Sequence, residues 1–502
     1  MNKTQSRKPI WTLPWLAEGI AVSGALIFSI QLWIYAHTQL SILDEGAYLL
    51  KGYLFVTREY WPFQDYGPWT NHMPLSFLIP GWVQALFGPG LRTGRYFAVG
   101  LGIVMLLGVW IIARRMGGRW WAAAAVWLFA FSVPIIKIYS IWASQGLIAC
   151  MLVWVLVLCL GRDRPLWQLL LGTGLAGLIL LTRLNMAPVL PILLAYIFWE
   201  NGKKIGLWNL AVGALVIIVG HAFFWPGILK LWTKWLPAGL TPYLDAWRSP
   251  VGATPNWNPD VDLHGRLKSF LQGLRYHFFA LVGTLFTWLR WPQKNKWYSE
   301  WRFRASVFLS VLFGVLFALH LWASLGKDYC VFCFRAYLSF FIILGLLLVI
   351  TSFSSWRPVV KSARRWFSVL AMTALSLGMA YSASLVWGNM LITNRFVRKL
   401  LTLQVPRVDG FSLLPGNIPL WGLLSNKFGW AEEEIFYTTT VLLRRLTPAL
   451  LVLLFGGLLF FFAVKRIRLI QKIPSDSARS LSTNTILIYI ALGTLLSFGI
   501  GL

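Results

Sequence analysis

Acidic residues are scarce in this chain: 17 Asp and Glu stand against 45 Lys and Arg, a formal charge of +28. Charge of either sign is rare as well, at 12% of 502 residues, while 58% are hydrophobic. Soluble domains carry about a quarter charged residues, so these proportions exclude that class. Four cysteines exclude a disulfide scaffold. There is no phosphate-cradling P-loop and no dinucleotide fingerprint, so nothing calls for ATP or NAD, and no spacing calls for a metal. An internal repeat is also missing, which weakens a transporter built from inverted halves. In a soluble protein +28 would point to nucleic acid; here sidedness and anionic lipid account for it.

What the chain does have is apolar runs of about 18 to 25 residues from end to end, each long enough to span a bilayer. The fold class expected is an all-α integral membrane protein of about 13 transmembrane helices. They fall near 17–39, 95–113, 119–135, 141–160, 166–182, 186–199, 206–225, 270–289, 305–324, 335–353, 366–387, 437–463 and 484–502. The basic clusters "RRMGGR", "RDR", "GKK", "RWPQKNKWYSEWRFR", "RPVVKSARR" and "KRIRLIQK" then lie on the cytoplasmic side. That sorting requires 74–87, short and interrupted by Pro80, to lie in the interface or re-enter rather than cross. The amino terminus is inside and an uncleaved first span follows it. Long segments 40–94, 226–269 and 388–436 face outward. The divisions expected are 1–225 as an amino-terminal membrane module that includes outer loop 40–94, 226–269 as an outer loop, and 270–502 as the carboxy-terminal helices with outer loop 388–436.

The few acids are unevenly placed. Asp44, Glu45, Glu59 and Asp65 all fall in "SILDEGAYLLKGYLFVTREYWPFQDYGPWTNHMPLSFLIP", residues 41 to 80, directly after the first apolar run. Helical spacing gives an apolar stripe of Leu43, Ala47, Leu50 and Leu54 beside a face with Asp44, Tyr48 and Lys51. This is the pattern of an amphipathic interfacial helix, holding Asp44 at the membrane surface. Capping that helix and favouring its dipole is one reading of Asp44 and Glu45. Chemistry is the other.

The order of the segment resembles the GT-C superfamily of membrane glycosyltransferases, and within it the protein O-mannosyltransferase and aminoarabinose-lipid A transferase group. An Asp-Glu pair follows the first span, then come "PFQDYG", "HMPL" and an Arg opening the next span. The motif match covers roughly residues 40 to 185. Relatives often have Lys or His followed by two prolines where this chain has His72, Met73 and Pro74. The resemblance implies sugar transfer from a polyprenyl-phosphate donor, on the outer face of the cell membrane, to a lipid, glycan or protein acceptor. It implies Asp44 as catalytic base, with Glu45 orienting substrate or supporting the loop. Asp65 matches the family's second acidic position, with His72 beside it, and Arg183 in "LLTRLNMAP" matches the basic residue after "LT".

The residue types suit that chemistry. Displacing a phosphate from an anomeric carbon needs a base for the incoming hydroxyl and cations for the leaving group. One carboxylate base with in-line attack implies inversion. Arg95 and Arg183 are candidate cations near span ends, each with a simpler reading as a snorkelling side chain. Asp65 reads equally as a turn residue before Gly67. Cys330 and Cys333 in "CVFC" suit a disulfide or two inert thiols. "AEEEIF" favours the start of the helix it precedes, and His320 is expected to be packed within a span. A transporter or flippase of a lipid-linked saccharide is the alternative. Such a protein should place its ionisable groups near mid-membrane, whereas these acids gather beyond a helix end.

Overall fold

A computed structural model describes residues 14–61, 63, 73–232, 277–290, 299–325, 335–354, 427–431 and 434. All regular structure among them is helical. In chain order the helices are α1 (Pro14–Thr38), α2 (Leu43–Val56), α3 (Leu75–Phe87), α4 (Leu91–Gly117), α5 (Arg119–Ala130), α6 (Val133–Tyr139) and α7 (Ser144–Cys159). They continue as α8 (Leu166–Thr182), α9 (Val189–Asn201), α10 (Lys203–Phe223), α11 (Leu229–Trp232), α12 (Phe278–Arg290), α13 (Glu300–Leu325) and α14 (Arg335–Ser354). Four of them, α1, α4, α10 and α13, are long and apolar enough to cross a membrane, and the bent pair α5–α6 makes a fifth if it counts as one span. α7 and α8 are shorter apolar helices. The expected spans 366–387, 437–463 and 484–502 lie outside the described residues, as do Cys330, Cys333 and the basic clusters at 357–365 and 465–472.

Contacts between distant residues place α1, α4, α5, α7, α8, α9 and α13 between two ends of one bundle. At one end Glu18 of α1 meets Arg114 of α4 and Arg119 of α5, Arg115 donates to the carbonyls of Val157 and Leu160, and Arg304 of α13 reaches Glu200 of α9. At the other end Arg95 of α4 reaches the last turn of α1, and Arg183, after α8, reaches Ser144 at the start of α7. The chain leaves α1 and enters α4 at this same second end. The α2–α3 pair therefore does not carry it across. Residues 74–87, expected not to cross, form the helix α3.

Two glycines explain how closely α2 and α3 pack. A Cβ on Gly52 would run into the Phe77 carbonyl oxygen, and one on Gly81 into that of Gly52. Only the absence of both side chains lets the backbones meet. Tyr48 stacks on Phe77 with ring centroids 4.8 Å apart.

The region expected as one span at 119–135 is instead broken, with α5 and α6 bent by 73° around Phe131 and Ser132. Pro134 sits in the first turn of α6, where its missing N–H costs nothing, whereas a continuous helix from α5 would need that N–H. The core runs through α1, α4 to α9 and α12 to α14, with α7 buried along almost its whole length. Outer faces are apolar too. Val22, Leu26 and Ile30 on α1 and Leu215, Ile218 and Val219 on α10 are more than half exposed, as expected where lipid replaces water.

Candidate active site at the second end of the bundle

α2 begins without a side-chain cap. Its N-cap is Ile42, and Asp44 and Glu45 occupy its first turn, where carboxylates favour the helix dipole. The two acids then diverge. Glu45 is fully buried, whereas Asp44 is exposed and makes no hydrogen bond or ion pair among the described residues. The dipole accounts for their position in the helix, but not for why one of them stays open.

Glu45 is engaged on both oxygens. Oε1 accepts from Arg95 Nε at 2.9 Å and from the backbone N–H of Trp142 at 3.2 Å. Oε2 accepts from Arg95 Nη2 at 3.0 Å and from the Ser41 hydroxyl at 2.9 Å. Arg95 Nη1 donates to the carbonyls of Ala36 at 2.9 Å and Gln39 at 2.8 Å. These are carbonyls that the end of α1 leaves without helical partners. The Gln39 side chain in turn accepts from Ser140 at 2.9 Å. One bidentate pair thus joins the end of α1 and the starts of α2 and α4 to the turn before α7. The structure directs Arg95, a candidate for substrate, toward Glu45 and the backbone.

Arg183 follows the last residue of α8 in extended backbone, before a 3-10 turn at Leu184–Met186. It is half-buried, and its Nη1 donates to Ser144 Oγ at 2.9 Å while Nε donates to Asn185 Oδ1 at 3.4 Å. Segment 142–144 therefore touches Glu45 through its first residue and Arg183 through its last, tying the helix of Asp44 to the turn of Arg183.

Asp65 and His72 lie outside the described residues, but both flanks of their segment are placed. Phe63 and Met73 are buried in a small cluster with Leu181, Ile228 and Leu231, and Leu75, Leu184 and Phe224 pack around it. Phe63 sits at φ 70°, strained for an aromatic residue, and meets Phe224 edge-on at 6.4 Å. Both ends of the loop are thus pinned beside the turn that carries Arg183.

Sequence spacing gave no sign of several of these partners. Tyr48 and Lys51, expected on a watery face, are buried, while Leu50 of the apolar stripe is 55% exposed. Beyond the exposed Asp44 the polar face of α2 packs into protein, and burial lowers the pKa of Lys51. His320 is packed as expected, with rings of Phe340 and Phe341 within 5.6 Å and 5.3 Å, but it also hydrogen-bonds Asn185. Ser140, Trp142 and Ser144 had one available signal: "SIWASQG" interrupts two apolar runs. No group of three or more His, Cys, Asp or Glu comes together among the described residues.

No family model matches the sequence, and no curated protein matches it. Solved structures are similar to it. The apo oligosaccharyltransferase of Archaeoglobus fulgidus is 16% identical over 82% of this chain and 62% of its own, with a TM-score of 0.44. ArnT from Cupriavidus metallidurans, bound to undecaprenyl phosphate, is 16% identical over 76% of this chain and 66% of its own, also at 0.44. AglB of Archaeoglobus fulgidus, in complex with an inhibitory peptide and a dolichol-phosphate, is 15% identical over 81% and 61%, at 0.38. The chain spans about three fifths to two thirds of their length.

Proposed function

We propose that this protein is a membrane glycosyltransferase that moves a sugar from a polyprenyl-phosphate carrier to an acceptor hydroxyl on the outer face of the membrane. The observation that carries the reading is the unequal fate of two adjacent acids. Glu45 is locked into the scaffold by Arg95, and that scaffold presents Asp44 open on the same helix turn. An exposed carboxylate on a rigid support, with a guanidinium tethered to the same 142–144 segment, suits a base opposite a leaving phosphate.

In the proposed reaction the acceptor oxygen attacks the anomeric carbon as its proton passes to Asp44. The bond from that carbon to the phosphate oxygen breaks, and the phosphate leaves with the electron pair. Arg183 meets the charge developing there, and its planar guanidinium matches two phosphate oxygens at once. Attack opposite the leaving group inverts the anomeric centre. Glu45 and Arg95 position the helix ends, and Asp65 and His72 contribute to binding sugar or acceptor hydroxyls. In this arrangement the end rich in Arg114, Arg115, Arg119 and Arg304 faces the cytoplasm, in accord with positive-inside sorting. The full chain then makes about 13 crossings, with its carboxyl terminus outside. Both the anchored pair and Arg183 gather at one bundle end, which disfavours a transport site near mid-membrane.

The test is to incubate purified protein with a panel of polyprenyl-phosphate sugars and to follow release of the bare carrier phosphate. Release with an added lipid, glycan or peptide acceptor is the expected result. Vesicles that instead show sugar-lipid crossing the bilayer with no carrier released would replace this reading with a flippase.

A further inference from the structure

His320 sits on α13, more than a hundred residues from Arg183 in sequence, yet the two are linked through a single amide. His320 is 3% exposed, and its Nδ1 lies 2.7 Å from the Leu316 carbonyl. A carbonyl only accepts, so Nδ1 carries the hydrogen, and in the neutral ring Nε2 is then an acceptor. Asn185 Nδ2 lies 2.9 Å from Nε2 and therefore donates to it. That fixes which way the amide faces. Asn185 Oδ1 is turned toward Arg183 Nε, and Ser144 Oγ receives Nη1 of the same guanidinium.

We propose that His320 and Asn185 are positioning residues that set the plane of the Arg183 guanidinium for the carrier phosphate. The proposal rests on the phosphate role given to Arg183 above. Arg183 ends α8 on an extended residue, where a long side chain has several rotamers open to it. Ser144 on one side and the Asn185 oxygen on the other restrict it to one plane, which is what bidentate grip of two phosphate oxygens requires. A neutral amide does this without neutralising the cation. A carboxylate in its place would not. The buried imidazole keeps the amide from rotating and presenting its NH2 to the guanidinium.

The two nitrogens of His320 can be tested apart, because glutamine can place its amide oxygen near Nε2 as an acceptor for Asn185, whereas asparagine reaches only the Nδ1 position, where its NH2 donates to the Leu316 carbonyl. Binding of undecaprenyl phosphate and of uncharged undecaprenol is measured on the purified full chain, with thermal unfolding as the check on folding. Wild type should prefer the phosphate, and Arg183→Ala should lose that preference. His320→Asn and Asn185→Ala should weaken phosphate binding about tenfold. His320→Gln should stay within about threefold of wild type. Asn185→Asp should weaken phosphate binding more than Asn185→Ala, because it pairs with Arg183, and none of these changes should alter undecaprenol binding. Equal binding by His320→Asn and His320→Gln, or tighter binding by Asn185→Asp than by Asn185→Ala, overturns the brace while leaving Arg183 in place. If Arg183→Ala keeps the phosphate preference, the phosphate role falls and the brace with it.

Discussion

The two ends of the helix bundle hold charge in opposite ways. At the basic end the Glu18 cluster stands in the open, with Arg114 and Glu18 40% and 29% exposed and Arg119 45% exposed, and even the more enclosed Arg304–Glu200 pair keeps 21% and 11% exposure. At the other end Arg95 and Glu45 are 7% and 0% exposed, and every oxygen of the carboxylate is engaged. Exposed pairs are screened and contribute about 0–1 kcal/mol. A buried pair costs desolvation and persists only when fully hydrogen-bonded, and removing one partner then strands a charge. Charge at the basic end is thus suited to sidedness. At the other end it is suited to holding backbone in place around an open carboxylate.

The largest effect should come from breaking the buried pair. Glu45→Ala leaves Arg95 without its counter-charge, and loss of about 3–5 kcal/mol is the ordinary cost of that change. Unfolding in detergent should begin well below the wild-type temperature, and any transfer activity should go with it. Replacing both residues by Met should recover part of the stability without recovering activity. Unchanged unfolding in Glu45→Ala would erase the contrast between the ends.

Asp44→Asn sharpens the contrast within a single helix turn. The neighbour of the anchored Glu45 has no partner among the described residues, so unfolding should stay close to the wild-type temperature. Carrier release, in contrast, should fall by ~10²–10⁴, the usual worth of a general base. Full turnover in a folded Asp44→Asn protein returns Asp44 to a helix-dipole role.

Arg183 comes next. Arg183→Ala should lower turnover by ~10²–10³, the scale of a lost donor at a site of developing charge. Arg183→Lys should keep part of the rate, since it preserves charge but not the planar fork. Both losses should appear in turnover as well as in carrier affinity. Wild-type kinetics in both variants would leave Arg183 as a snorkelling side chain.

The sequence made some of this legible and hid the rest for physical reasons. Helix α1 and helices α4, α8 and α10 show in the apolar runs because lipid-facing and core-facing surfaces are both hydrophobic, so a span needs no periodicity to declare itself. For the same reason, periodicity misplaces the faces of α2: Leu50 points outward and Lys51 inward. A polar stripe in a membrane protein marks contact with protein as readily as with water. The bend between α5 and α6 was foreshadowed by Pro134 alone. Asp44 and Arg183 stood out as candidates because a charge beside an apolar run is expensive and therefore conspicuous. Their supports were not. Trp142 contributes only a backbone N–H, Ser144 is a small hydroxyl, and His320 lies 135 residues from Asn185. No spacing rule connects groups that tertiary folding alone brings within 3.2 Å.

The smallest effect on stability is expected at the basic end, and it completes the contrast. Arg114→Ala and Arg119→Ala together remove both partners of Glu18, yet the carboxylate they leave is itself 29% exposed and can turn to water. Loss of about 1 kcal/mol or less follows, and it should shrink further as salt is added. The consequence of these charges should instead appear during insertion, because Lys and Arg beside short loops set which way a helix pair faces. The readout is a cysteine at Gly118, between α4 and α5, probed in intact cells with a thiol reagent that cannot cross the membrane. In the otherwise unchanged chain it should react only after permeabilisation, and a cysteine at Glu59, beyond α2, should react without it. With Arg114 and Arg119 removed, part of the Gly118→Cys population should become reactive from outside while unfolding in detergent stays as before. A large loss of stability with no change in labelling would mean that the exposed pairs hold the fold and the buried pair is not special. Labelling of Gly118→Cys in the unaltered background would turn the bundle over and place Asp44 on the cytoplasmic side.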